Sequence, residues 1–280
     1  MKIVRTAGEL RAELAEERAA DRTVGFVPTM GALHEGHLSL VRLARSSTAA
    51  VVVSIFVNPL QFGPSEDFEA YPRDEAHDLE LLEREGVDIV FIPRARDVWA
   101  QPPTTLVSVG ELSRIVEGAI RPGHFDGVAT VVATLFNLVR PDVAYFGQKD
   151  AQQVAVIKKM VTDLAWPIEI RVGPTVRDPD GLALSSRNVY LNAAERTRAT
   201  SLWRALQEGE RSLASGDALE TTEKVMWEAL VAGGVEPDYA SVVDPDTFGP
   251  VDTQAGSLLV IAAHVGSTRL IDNLLVNREA

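Results

Sequence analysis

The chain has 280 residues, of which 46% are apolar and 24% charged, a composition that excludes collagen, a coiled coil and extensive disorder. It contains no cysteine, which excludes disulfides, thiolate metal sites and cysteine nucleophiles and favours a reducing, cytoplasmic location. The formal net charge of −13, with scattered basic residues, disfavours a nucleic-acid partner, whereas a small anionic ligand needs only a few local cations.

The sequence also lacks the marks of a membrane or secreted protein. Its longest apolar runs fall far short of the ~20 residues that a membrane span needs. The N-terminus has no apolar core of a signal peptide. We therefore expect neither a membrane partner nor export.

The first part of the chain alternates β-branched runs with helical patterns. Strands are predicted at 23–27, 49–57, 88–92, 142–146 and 168–172, and helices at 39–46, 74–85, 127–138 and 151–163. Such alternation predicts βαβ units and a mostly parallel sheet. The strand at 50–57 is nearly all apolar, as expected when helices cover both faces of a sheet.

The pattern changes after Asp-Pro-Asp-Gly at 178–181, which is a strong turn signal. Two long helices are predicted beyond it, at 193–215 and 219–232, followed by strands without intervening helices at 239–243, 258–263 and 268–273. This change from α/β to α+β predicts a first domain over 1–175 and a smaller α+β domain over 176–280.

Two histidines, His34 and His37, stand three residues apart in a glycine-containing turn between the first predicted strand and the helix after it. The amino end of a helix attracts phosphate, and two imidazole donors there suit a nucleoside triphosphate. Gly31 and Gly36 permit a close approach of a ligand. The alternatives are a helix cap beside a core histidine, or a zinc pair, for which no further ligands at suitable spacing are found. The setting favours the phosphate site.

Polar residues also follow the second and fourth of these predicted strands. The amides at 58–62 suit the carboxylate and hydroxyls of a hydroxy acid, although a surface Asn-Pro turn is an equally good interpretation. Lys149 follows Gly147 at the start of a helix, where the helix dipole disfavours a cation. That conflict favours a phosphate-binding role over a merely solvated lysine.

Three further segments carry charge or hydroxyls. Ser185, Ser186 and Arg187 resemble a phosphate clamp, although, taken alone, the segment is better explained as a serine turn with a surface arginine. The loop at 121–125 could supply a cation to the site. Asp78 lies in the first turn of a predicted helix, where the dipole alone accounts for an acid, and it is a secondary candidate for a magnesium ligand.

Together these motifs resemble the pantoate–β-alanine ligase (pantothenate synthetase) family. The chain contains, in the order of the family, P-T-M-G-A-L-H-E-G-H, S-I-F-V-N-P-L-Q-F, Y-P-R, E-G-x-x-R-P-G-H-F, F-G-Q-K-D-A-Q-Q and G-L-A-L-S-S-R-N. The resemblance runs from the first predicted strand to Arg-Leu-Ile-Asp-Asn near the C-terminus. It departs from the family at Gln148, where many members have glutamate, and at His77 beside Asp78, where some have paired acids.

The resemblance implies a Rossmann-like N-terminal domain of the H-x-G-H nucleotidyltransferase group, over which the smaller C-terminal domain closes. It implies that ATP and pantoate form a bound pantoyl adenylate with magnesium, that β-alanine then attacks to give pantothenate and AMP, and that the enzyme is a homodimer. His34, His37, Lys149 and Arg187 are the implied catalytic residues, with His37 as proton donor. By the same resemblance pantoate and β-alanine contact Gln61 and Gln153, and ATP contacts Met30, Gly31, Ala32, Leu33, His34, Glu35, Gly36, His37, Gly147, Gln148, Lys149, Asp150, Val176, Leu184, Ser185, Ser186 and Arg187.

Other functions fit the sequence less well. A different adenylyltransferase of the same superfamily would not need the amide segment at 58–62. A tRNA synthetase is disfavoured by the acidic balance and by the lack of an anticodon-binding extension. A nucleotide sensor without catalysis would be expected to lack one of the four phosphate donors, and all four are present.

Overall fold

The structure, a computed structural model, describes residues 1–64, 68–251 and 256–276. The strands in this part of the chain are β1 (Lys2–Val4), β2 (Val24–Thr29), β3 (Ala50–Ile55), β4 (Ile89–Phe91), β5 (Val143–Gly147), β6 (Glu169–Gly173), β7 (Glu236–Val243), β8 (Ser257–Val265) and β9 (Thr268–Val276). The helices are α1 (Ala7–Ala19), α2 (Glu35–Arg45), α3 (Glu75–Arg84), α4 (Ala95–Val98), α5 (Glu117–Ile120), α6 (His124–Val139), α7 (Ala151–Asp163), α8 (Ala193–Ala199), α9 (Ser201–Ala214) and α10 (Leu219–Ala232).

The described chain divides into two compact units, residues 1–147 with 156–173 and residues 148–155 with 174–280. The first unit is built on a six-stranded sheet with the order β1-β4-β3-β2-β5-β6. Every strand pair in it is parallel. All residues of β3 are buried, as expected for a strand covered on both faces. The predicted α/β class is therefore confirmed.

The strand order of this sheet reverses between β2 and β5. From β2 the chain adds β3 and then β4 on one side, and later places β5 on the other side of β2. In open parallel sheets such a reversal leaves a crevice at the carboxyl ends of the two central strands, where ligands bind. The carboxyl end of β2 is Thr29 and that of β5 is Gly147.

The second unit contains an antiparallel sheet in the order β7-β8-β9. Its core joins side chains from α9, α10 and β8, among them Leu206, Met226, Leu259 and Ile261. This arrangement confirms the predicted α+β character of the C-terminal part. Among the described residues, no helix has both the length and the apolar character to cross a membrane.

The local predictions hold for most of the long elements, whereas the short helices α4 and α5 were not predicted. The helix predicted at 193–215 is two helices, because the hydroxyls of Thr200 and Ser201 bond back to the carbonyls of Thr197 and Arg198 where α8 ends. The N-terminal β1 and α1 were not predicted. The signal for α1 was present in the sequence, since Thr6 caps that helix by accepting a hydrogen bond from the N–H of Glu9 (3.2 Å).

Candidate active site

The turn between β2 and α2 lies at the carboxyl edge of the parallel sheet and has an unusual backbone. Gly31 has a φ of +82° and Ala32 a φ of +48°. The left-handed region suits Gly31, whereas it costs Ala32 about 1–2 kcal/mol. Such strain persists only where neighbouring groups hold the backbone, and it is concentrated at functional sites.

Asp78, in the first turn of α3, supplies the group that holds this turn. Its Oδ2 accepts the N–H of Ala32 (3.0 Å) and its Oδ1 accepts the N–H of Leu33 (2.7 Å). The residue is only 1% exposed. Burial raises the pKa of the Asp78 carboxyl, and the two backbone N–H groups oppose that rise. From the sequence, Asp78 was expected only as an acid at a helix start and a secondary candidate for a metal ligand, and its contact with the turn was not predicted.

The two imidazoles lie side by side, with ring centroids 4.1 Å apart and ring planes inclined by 41°. Nδ1 of His34 accepts the N–H of Gly36 (3.2 Å), and Nδ1 of His37 accepts the N–H of His34 (3.3 Å). An Nδ1 atom that accepts a hydrogen bond carries no proton, so each neutral ring carries its proton on Nε2. The histidines therefore cap the helix and present Nε2–H donors, and the capping and ligand-binding interpretations are compatible.

The structure explains the glycine at position 36 differently from the sequence interpretation. A Cβ atom there would lie 2.9 Å from Cε1 of His34 and 3.0 Å from its Nδ1. The glycine thus makes room for the imidazole of His34, whereas the sequence interpretation was room for a ligand.

The segment at 58–62 contains the 3-10 turn Pro59–Gln61, in which Pro59 is exposed and the other two residues are half-buried. The side chain of Asn58, which precedes this turn, is 1% exposed and therefore anchors the turn to the protein interior. This side chain accepts the N–H of Leu60 (3.1 Å) and donates to Oε1 of Gln61 (3.0 Å) and to the carbonyl of Gly127 (3.1 Å). Gln61 in turn donates from Nε2 to the sulfur of Met30 (3.1 Å). The structure therefore brings Met30 and Gln61, two predicted site residues, into contact.

Two residues of the predicted loop at 121–125 support this turn. The carbonyl of Gln61 accepts from Nη2 of Arg121 (3.3 Å) and from Nδ1 of His124 (2.8 Å). Nη1 of Arg121 lies 3.2 Å from Nε2 of His124. Since a guanidinium only donates and a carbonyl only accepts, His124 carries its proton on Nδ1. Arg121 and His124 thus position the backbone of Gln61, a role that the sequence did not show.

In the second unit, Lys149 lies in the 3-10 turn Gln148–Asp150 that immediately precedes α7. Its side chain is 19% exposed, and its Nζ lies 3.8 Å from Oδ1 of Asp150. The lysine therefore stands at a helix amino end, as predicted. Gln153 lies in the first turn of α7 and is half-buried.

A short hairpin after β6 gathers further predicted residues of this unit. The N–H of Leu184 donates to the carbonyl of Val176 (3.0 Å). Ser185 then caps the 3-10 helix Ser186–Tyr190 by accepting the N–H of Arg187 (3.2 Å). The serine turn named as an alternative is thus present and orients the start of the segment that carries Arg187.

Among the described residues, no group of three or more His, Cys, Asp or Glu side chains is arranged to hold a metal ion. At Gly147, where β5 ends, an added Cβ atom would meet no atom of the described residues within 4 Å, apart from its two chain neighbours. The carboxyl end of β5, which neighbours β2 in the sheet, therefore has open space.

A wholly parallel sheet whose strand order reverses beside a helix start that carries two imidazoles defines a doubly wound α/β fold of the kind that binds nucleotides. The model of the pantoate-beta-alanine ligase family matches residues 2–275. The pantothenate synthetase of Agrobacterium fabrum is 50% identical over 283 residues, which cover 100% of this chain and 97% of the relative. The chain belongs to the pantoate–β-alanine ligase family.

Solved structures agree with this assignment. The crystal structure of pantothenate synthetase from Thermus thermophilus superposes with a TM-score of 0.92 at 49% identity, over 98% of this chain and 99% of that one. A pantoate–β-alanine ligase from Francisella tularensis, complexed with β-γ ATP and β-alanine, gives a TM-score of 0.83 at 34% identity, over 98% and 97% of the two chains. The similarity therefore extends over nearly the whole length of both relatives.

Proposed function

We propose that the enzyme condenses (R)-pantoate with β-alanine in an ATP-dependent reaction, giving pantothenate, AMP and pyrophosphate through a bound pantoyl adenylate. The observation that carries this proposal is the pair of Nε2–H imidazoles at the carboxyl end of β2, beside the strand-order reversal. The Francisella relative, crystallised with β-γ ATP and β-alanine, supports the same substrates here.

In the first half-reaction, a carboxylate oxygen of pantoate attacks the α-phosphorus of ATP. The new oxygen–phosphorus bond forms as the bond to the bridging oxygen breaks, and pyrophosphate leaves. Negative charge grows on the phosphoryl oxygens, so positioned donors lower the barrier without a covalent enzyme intermediate. We assign these donors to His34, His37, Lys149 and Arg187, with His37 as the proton donor.

In the second half-reaction, the amine of β-alanine attacks the acyl carbon of the adenylate. The carbon–nitrogen bond forms, AMP leaves, and the amine loses a proton. We assign pantoate to Gln61 and Gln153, whose amides both donate and accept. The contacts of Gln61 with Asn58 and Met30 support this assignment, because they hold the amide in one orientation.

For the nucleotide we assign the turn after β2, the end of β5 with the 3-10 turn that follows it, and the hairpin residues Val176 and 184–187. The open space at Gly147 supports this assignment, because a ligand could approach the backbone there without meeting a side chain. The unusual backbone from Gly31 to Ala32 supports it as well, since the turn brings the chain to the helix start, where N–H groups attract phosphate.

We further propose that Mg²⁺ takes part, that the enzyme is a homodimer and that it acts in the cytoplasm. Mg²⁺ is usually held by one or two carboxylates together with substrate phosphates, where it neutralises the charge of the pyrophosphate leaving group. Asp78 fits such a role only in part, because each of its oxygens already accepts a backbone N–H.

The decisive experiment is pantoate-dependent exchange of labelled pyrophosphate into ATP, which reports the first half-reaction alone. We expect exchange with pantoate and none without an acid. Exchange that ignores pantoate but responds to another acid would assign the chain to a different adenylating enzyme. His37→Ala should slow exchange about a hundredfold or more while the protein stays folded; near-normal exchange would refute the role of His37.

A further inference from the structure

The motif Arg-Leu-Ile-Asp-Asn at 269–273 supplies no residue to the proposed reaction, yet its last residue contacts the turn that carries Lys149. Asn273 lies on β9 and is 4% exposed. Its Nδ2 donates to the carbonyls of Gln148 (3.0 Å) and Lys149 (2.8 Å), and its Oδ1 accepts from Nε2 of Gln148 (3.2 Å). These three hydrogen bonds attach the 3-10 turn to β9 of the same unit.

A buried ion pair between Arg177 and Asp272 holds the backbone of Asn273. Arg177 donates to both carboxylate oxygens of Asp272, from Nη1 at 2.6 Å and from Nη2 at 2.9 Å. Nη2 of Arg177 also donates to the carbonyl of Asn273 (3.1 Å), while Oδ1 of Asp272 accepts the N–H of Asn273 (2.8 Å). The guanidinium lies 4.0 Å above the ring of Trp203, which limits its movement.

This arrangement is a costly way to gain stability alone. Taking two charges out of water is costly, and apolar replacements of buried ion pairs are often equally stable. The Arg177–Asp272 pair does, however, fix the direction of the strand backbone at Asn273 through directional hydrogen bonds. Its effect is therefore to orient the amide that holds the carbonyls of Gln148 and Lys149.

We propose that Asn273 is a positioning residue that acts on the reaction through the backbone of Lys149, with Asp272 and Arg177 holding Asn273 in place. The inference rests on the proposed function, in which the ammonium of Lys149 contacts phosphate oxygens. A lysine has a flexible four-carbon stem, so the reach of its ammonium depends on where the turn places its Cα atom. Displacing a phosphate donor by about 1 Å can cost a hundredfold in rate.

The test is a double-mutant cycle between Asn273→Asp and Lys149→Met, read by pantoate-dependent pyrophosphate exchange. Asn273→Asp keeps the size of the side chain but replaces two N–H donors with an oxygen that faces two carbonyls. In the enzyme that keeps Lys149, we expect Asn273→Asp to slow pyrophosphate exchange about tenfold or more. In the Lys149→Met background we expect a loss below about twofold, because the positioned ammonium is already absent.

A merely structural role predicts a different result. Lost stability would lower exchange by the same factor in both backgrounds, and that additivity would overturn the proposal. Thermal unfolding of each variant sets an assay temperature at which all are folded. If Asn273→Asp does not fold, Asn273→Ser removes the same two donors without adding a charge, and the same cycle applies.

The matched control is Asn192→Asp, in the same unit. Oδ1 of Asn192 accepts the N–H of Glu195 (3.0 Å) at the start of α8, and aspartate caps a helix equally well. We expect unchanged exchange. If the unaltered enzyme shows no pantoate-dependent exchange, the proposed function is refuted. If the unaltered enzyme shows normal exchange but the effects of Asn273→Asp and Lys149→Met on the rate are additive, only the positioning role of Asn273 is refuted.

Discussion

Replacing Asp78 with asparagine separates the geometry of the histidine turn from the stability of the fold. The carboxylate accepts two backbone N–H groups, from Ala32 at 3.0 Å and from Leu33 at 2.7 Å. Asparagine keeps one acceptor oxygen and turns an NH₂ group toward the other N–H. One N–H of a strained turn therefore loses its partner.

The cost in stability follows from two opposing contributions. A buried N–H left without an acceptor costs about 1–3 kcal/mol. Burial raises the pKa of the Asp78 carboxyl, so the ionised form is disfavoured in the fold, and removing the charge offsets part of that loss. We expect a net loss below about 2 kcal/mol, which for a chain of this length lowers Tm by roughly 4–8 °C at most.

Activity should fall much further than stability. The turn is strained at Ala32, so loss of one hydrogen bond lets the backbone before His34 relax. A displacement of about 1 Å there predicts a loss of about a hundredfold in pantoate-dependent pyrophosphate exchange. Exchange kinetics and thermal unfolding, measured on the same preparation, test both numbers.

The control is Asp74→Asn at the start of the same helix. Oδ1 of Asp74 accepts the N–H of His77 (3.1 Å), and asparagine is an equally good cap, so activity and Tm should be unchanged. Exchange by Asp78→Asn within twofold of the unaltered enzyme would refute the reasoning. Recovery of activity at raised magnesium concentration would instead identify Asp78 as a metal ligand.

Three further substitutions test single contacts. His34→Asn keeps an acceptor for the helix cap but removes the Nε2–H donor, so we expect nearly unchanged Tm and exchange slowed about a hundredfold; a drop in Tm with normal exchange would limit His34 to capping. In Gly127→Ala the new Cβ would lie 2.1 Å from the carbonyl oxygen of Leu60, so we expect a loss of about 1–3 kcal/mol in unfolding free energy and a higher KM for pantoate, and an unchanged KM would separate this contact from the pantoate site. In Gly147→Ala the Cβ meets open space, so Tm should hold while KM for ATP rises, and an unchanged KM would place ATP away from the end of β5.

Much of the secondary structure was predictable because its signals are local. Helix α7 was predicted with the bounds that the structure gives, since its apolar spacing and its preceding turn lie in one continuous segment. The capping box at Thr6 and Glu9 was equally local and would have revealed α1. The break between α8 and α9 was harder to predict, because it depends on whether two hydroxyls bond to the helix carbonyls or to water.

The candidate site was predictable in its residue types and only partly in its geometry. The spacing of His34 and His37 indicated a phosphate-binding turn, but the proton on each Nε2 follows from hydrogen bonds to Nδ1. The segment after β3 was an even choice between a surface turn and a binding segment, and the structure shows only that the side chain of Asn58 is buried against α6. The assignment of single residues to ATP, pantoate and magnesium stays a prediction.

The sequence by itself determined the parallel α/β class and the order of the motifs, and it predicted the donors for phosphate, because periodicity and turn chemistry are properties of neighbouring residues. The tertiary structure alone decided what holds those donors in place. Asp78 reaches Ala32 across 46 residues, and Asn273 reaches Lys149 across 124. Contacts between such distant residues leave no periodic pattern in the chain, since they arise only when folding brings separate segments side by side.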